Sequence, residues 1–160
     1  DARDALKVLM GKGPKDLREK SIKMSIVILK RLKAKDPKKK VLDALDSGKA
    51  YEKMKEIIKA QRGNIFKPEQ LREAKFRKEI CAVKSGKIIE VNNKDVSKIA
   101  RIAGAPQDKT AGIHLNKKLK DRVKKDEVLF TIYSDSDKRL KYAIELVKER
   151  NPYVISSGIF

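Results

Sequence analysis

The sequence contains one cysteine, one histidine and no tryptophan. A lone thiol, Cys81, excludes an internal disulfide and fits a reducing compartment. A lone histidine, His114, with no HExxH or CxxC spacing anywhere, excludes the usual multi-ligand metal centres. Four Tyr and four Phe leave little surface for stacking on bases. Long apolar runs are also missing. The longest, Ile26 to Leu29, is far short of the roughly 20 residues of a membrane-spanning helix. No secretory signal is visible, so a cytoplasmic location and no membrane partner are expected.

What the sequence has in abundance is positive charge: 41 Lys and Arg against 22 Asp and Glu, a formal +19 in 160 residues. Nucleic-acid binding is the first class such a balance suggests. The distribution points elsewhere. Residues 1–62 carry 19 basic and 9 acidic side chains, and residues 63–160 carry 22 and 13, so the excess is shared evenly along the chain. Most of it is lysine, which reads bases poorly. Abundant Lys and Ile resemble hyperthermophile composition, and the expectation is a solvated surface with nucleic acid an unlikely partner.

Apolar spacing predicts four helices at the start of the chain, over residues 2–10, 14–33, 38–46 and 49–62. Gly11 and Gly13, Asp36-Pro37, Ser47-Gly48 and Gly63-Asn64 punctuate them. The chain opens at Asp1 directly into this pattern, as expected of a piece of a longer polypeptide. Residues 64–74 contain a proline and little periodicity and read as a linker. Beyond them, residues 76–82 and 88–91 read as two strands joined by a tight turn at Ser85-Gly86. A helix capped by Asn92-Asn93 and ending at Gly104 follows, then strand-like runs at Ile113–Leu115 and Val128–Tyr133. Ser134 or Ser136 caps a last helix, and NPYVISSGIF reads as an extended tail whose apolar residues need something to pack on. The fold class is α+β: a helical block over 1–63, a linker over 64–74, and a small module over 75–160.

Several short motifs invite chemistry and have plainer readings. Gly11-Lys12-Gly13-Pro14 lacks the preceding strand and the spacing of a phosphate loop, and reads as a turn between helices. His114 has no partner that general acid-base work would require. Cys81, beside Ile80, reads as a small buried hydrophobe. Lys138 in Ser134-Asp135-Ser136-Asp137-Lys138 resembles the modifiable lysine of a lipoyl- or biotinyl-carrying hairpin. The helical periodicity after it favours an N-cap at Ser136 instead. Asp43 and Asp46 read as surface ion-pair partners on a lysine-rich helix. In the loop Gly104 to Gly112, Asp108 reads as a local turn stabiliser.

That loop, GAPQDKTAGI, and the following LNKKLKDRVKKDEVLFTIYSDSDKRL resemble the C-terminal domain of the pyrimidine-nucleoside phosphorylase family. The family includes thymidine phosphorylases, and the GAP-x-DK form is most similar to its archaeal, AMP phosphorylase branch. The runs EKSIKMSIVIL and LDSGKAYEKMKEIIKAQRGN are also similar to family segments that precede that domain. The chain departs where the family has glycine, at Thr110 after the Asp-Lys pair and at Lys120 and Asp126 in the later turn. The resemblance implies a phosphorolytic pentosyltransferase, typically a dimer, whose nucleotide or nucleoside and phosphate bind upstream of this segment. It further implies residues 1–62 as closing helices of an α/β domain and 75–160 as an α/β-hammerhead-like module. No catalytic, cofactor-binding or metal residue is expected in this chain, and no cofactor beyond phosphate as co-substrate. The expected partners are the rest of the parent chain and a second copy. A basic nucleic-acid-binding module and a carrier domain stand as the alternatives.

Overall fold

The computed structural model describes residues 2–156. The chain divides into two compact units, with the boundary between Arg72 and Glu73.

The first unit is helical: α1 (Ala2–Leu9), α2 (Lys15–Arg31), α3 (Pro37–Asp46) and α4 (Lys49–Ala60). Pro37 starts α3 at the position where a missing N–H costs nothing, after Asp36 in a left-handed conformation. Gly48, also left-handed, separates α3 from α4. A 3-10 turn, Pro68–Gln70, falls in the stretch 64–74; Pro68 is buried and the Arg3 guanidinium donates to the Leu71 carbonyl at 2.8 Å. Tyr51 on α4 donates its hydroxyl to the Phe66 carbonyl at 2.9 Å. This unit buries little. Leu6 and Val8 on α1 are covered, whereas α2, α3 and α4 contain no buried residue.

The second unit holds β1 (Phe76–Cys81), β2 (Gly86–Val91), α5 (Asn93–Ala103), β3 (Gly112–Leu115), β4 (Arg122–Val123), β5 (Val128–Ser134), α6 (Asp137–Glu149) and β6 (Tyr153–Ser156). The strands form two antiparallel three-stranded sheets, ordered β1-β5-β3 and β4-β2-β6. The expected hairpin of β1 and β2 does not form, because the two strands lie in different sheets. After Ile80 the register slips, and Ala82 exchanges backbone bonds of 2.8 Å with the turn at Asp126-Glu127. β2 instead pairs Ile88 with Ile155 of β6. The apolar tail expected to need a partner therefore supplies an edge strand, with Tyr153 and Ile155 buried. Its last four residues lie outside the described ones.

Helices α5 and α6 pack on each other and on the β1-β5-β3 sheet. Their inner residues Ile99, Ala103, Leu140, Ala143 and Val147 join Ile88, Leu129, Phe130 and Ile132 in one core. The Phe130 and Tyr153 rings stack at 5.5 Å, joining a strand of each sheet. The Asn92 side chain accepts from the Lys94 and Asp95 amides and starts α5 as the sequence predicts.

Candidate functional site

The loop that carries the resemblance hangs between α5 and β3. α5 ends at the buried Gly104, whose φ of 128° is costly for any residue with a side chain. A Cβ there would stand 3.1 Å from the Ala111 Cβ and 3.2 Å from both Arg139 Nη1 and the Asp108 Cβ. The Ala103 carbonyl, left without a helical partner, accepts from the buried Ser134 hydroxyl at 2.7 Å. Asp108 then closes the loop. Its Oδ1 accepts from the Thr110 amide at 3.1 Å and the Thr110 hydroxyl at 2.8 Å, while its amide donates to the Gly104 carbonyl at 2.9 Å. Thr110, one of the departures from family glycine, is thus built into the turn through its hydroxyl. Asp108 thus ties the loop to itself from the Gly104 carbonyl to Thr110.

The other two departures keep the backbone that glycine would adopt. Lys120 has φ 76° and Asp126 φ 66°. Asp tolerates this conformation better than most residues, whereas lysine has no side-chain bond that eases it.

The remaining motif residues do not come together. His114 lies exposed on the edge strand β3, opposite Thr131. Lys138 stands in the first turn of α6, capped by Ser136, with its ammonium 5.9 Å from the Tyr142 ring centre; it is on a helix, not at a hairpin tip. Asp46 pairs with Arg18 of α2 at 2.6 Å. Gly11 and Gly13 sit in the turn between α1 and α2, where a Cβ on Gly13 would meet Val8 at 2.4 Å. Cys81 corrects its expectation: it is exposed, because strand alternation turns it away from the side on which Ile80 and the buried Ala82 lie. Among the described residues no three His, Cys, Asp or Glu side chains are placed to share a metal ion. No helix among them is long and apolar enough to cross a membrane.

Two features were not legible in the sequence. An apolar groove of about 540 Å³ runs through the helical unit, lined by Val8, Leu17, Ile22, Leu29, Val41 and Leu45. Met24, Val27 and Ile28 on α2 and Leu32 at its C-cap form an exposed stripe, Leu32 with 71% of its surface open. A helix apolar on more than one side is ordinarily covered on more than one side. The second feature is in the other unit, where the loops 83–87 and 117–127 are bound together. Lys87 lies directly across the ladder from Arg122, and the Lys125 amide donates to Ser85 Oγ at 2.9 Å. In this corner Glu127 accepts from the Lys117 ammonium and the Lys124 amide, which hold its carboxyl below the usual carboxylate range. Tyr153 donates its hydroxyl to the Lys117 carbonyl at 2.7 Å; burial, with Asp121 nearby, pushes its pKa up to about 12.

Residues 87–154 match the pyrimidine nucleoside phosphorylase C-terminal domain. Beyond that segment, the chain is similar along nearly its whole length to AMP phosphorylases of archaea. It is 41% identical to that of Thermococcus kodakarensis over 99% of the chain, and 38% identical to that of Methanosarcina acetivorans over 97%. With that of Methanocaldococcus jannaschii it shares 39% over 92%. The chain spans about a third of the length of these relatives, covering 33%, 32% and 30% of them respectively. The similarity thus takes in the matched domain and continues from it into the helical unit.

Proposed function

We propose that this chain is the C-terminal third of an AMP phosphorylase-like enzyme. In the reaction a phosphate oxygen bonds to the anomeric carbon of the pentose, the carbon–nitrogen bond to the base breaks, and the base leaves with a proton. The electrostatic demand is stabilisation of positive charge developing on the sugar. The observation that carries the reading is identity near 40% to AMP phosphorylases over 92–99% of the chain.

The role of the chain itself is structural. The groove of the helical unit and the Met24–Leu32 stripe are taken to dock against the remaining two thirds of the polypeptide, which the relatives possess and which would supply the substrate site. We take the assembled enzyme to form a homo-oligomer in the cytoplasm. The composition rich in Lys and Ile supports a thermophilic archaeal source.

The test is release of free base from AMP, and separately from thymidine, with and without inorganic phosphate. The full-length polypeptide should release adenine only when phosphate is present, and the 160-residue chain should release none. Phosphorolysis by the 160-residue chain would overturn the structural role, and thymidine outpacing AMP would overturn the choice of substrate.

A further inference from the structure

The charge that is spread evenly along the sequence is not spread evenly over the second unit. Residues 83–87 and 117–127 hold eight cationic side chains against three acidic ones, a net +5. Backbone bonds fix these loops together: Lys120 donates to the Ile88 carbonyl at 2.9 Å, Ile88 to the Asp121 carbonyl at 2.9 Å, and Asp126 to the Ala82 carbonyl at 2.8 Å. Two of the acids are turned to internal work. Asp121 accepts from the Lys118 amide at 2.7 Å, and Glu127 holds Lys117 and the Lys124 amide. Lys84, Lys87, Lys120 and Lys125 are exposed, and among the described residues none of them is in an ion pair.

One detail shows that the fold keeps this charge at a cost. Lys120 occupies a left-handed position, φ 76°, where glycine would relieve the backbone and remove the charge. A merely solvated surface does not require it.

We propose that this corner is a binding surface for RNA, contacted through its phosphates without sequence selection. Lysine point charges with no aromatic neighbour in the loops suit phosphate oxygens and give no reading of bases. Val83 and Leu119 are the two large apolar side chains these loops expose, fewer than the apolar face of a membrane-surface element.

The experiment is fluorescence anisotropy of the 160-residue chain with labelled oligouridine of roughly 20 nucleotides, over salt from about 50 to 300 mM. Binding should weaken steeply with salt. Combining Lys84→Gln, Lys87→Gln, Lys120→Gly and Lys125→Gln should weaken it about tenfold or more and lower the log–log salt slope by about 3, at roughly 0.7 per lost phosphate contact. A control neutralises four exposed lysines of the helical unit, Lys23, Lys38, Lys39 and Lys49, and should change binding less than about threefold. Lys120→Gly alone should unfold no earlier than the parent, which separates loss of charge from loss of fold. Equal losses in both variants would assign binding to net charge and overturn the proposal. So would absence of RNA binding at low salt, or binding of phosphatidylglycerol vesicles in its place.

Discussion

Gly104→Ala isolates what the loop between α5 and β3 demands of its first residue. Two costs act at once. The backbone at φ 128° lies where L residues are rarely found, worth about 1–3 kcal/mol. The new methyl also meets the Ala111 Cβ, Arg139 Nη1 and the Asp108 Cβ at 3.1–3.2 Å, so each neighbour must yield by a few tenths of an ångström. Overpacking of a fixed site adds about 1 kcal/mol or more, which brings the expected loss to about 2–4 kcal/mol. Gly112→Ala in the same loop is the control. Its φ is also positive, at 157°, but a Cβ there has nothing within 4 Å, so it bears the backbone cost alone. Thermal unfolding followed by circular dichroism reads both, at about 4–8 °C per kcal/mol for a unit of this size. Gly104→Ala should melt earlier than Gly112→Ala by several degrees. Equal midpoints for the two variants would refute the crowding, and an unchanged midpoint for Gly104→Ala would refute the whole account of the loop.

Other outcomes follow from the same geometry. Asp108→Ala removes both bonds to Thr110 and should cost about 1–2 kcal/mol, while Thr110→Ala should cost less because the amide bond survives; chemical denaturation of each variant measures the difference. The Tyr153 phenol should ionise near pH 12, read as a 295 nm absorbance step missing in Tyr153→Phe. Because its folded pKa is raised, its contribution to stability is complete below the ordinary tyrosine value near 10 and is lost as pH rises toward 12. Glu127 runs the other way: its folded pKa is lowered, so the contribution is present above the ordinary carboxylate range and lost as pH falls through the folded value. Carboxyl chemical shifts should show it titrating at lower pH than in a Lys117→Met variant. On α2 and its C-cap, replacing Met24, Val27, Ile28 and Leu32 by serine should reduce dye binding and self-association of the isolated chain while leaving its helix content intact, read by gel filtration and circular dichroism.

The helices were largely legible because their signals are local. Gly11, Asp36-Pro37 and Gly48 stop or start them through backbone geometry that each residue imposes by itself, and Asn92 caps α5 through amides two and three residues away. The same holds for Asp108, whose partner is two residues along. Pairing was the part the sequence could not show. Ser85-Gly86 reads as a hairpin turn, yet β1 finds its partner in β5 and β2 finds its partners in β4 and β6, choices that depend on which apolar faces meet across long separations. Cys81 differs: it falls between Ile80 and the buried Ala82, so the period of two along the strand turns it outward. Charge follows pairing most sharply. An even count along the chain reads as a uniformly solvated surface, but the β2–β4 ladder sets Lys87 against Arg122 and gathers lysines from segments about thirty residues apart. Density of charge is a property of the folded surface, so even spacing in the sequence excludes a basic tail and says nothing against a basic corner.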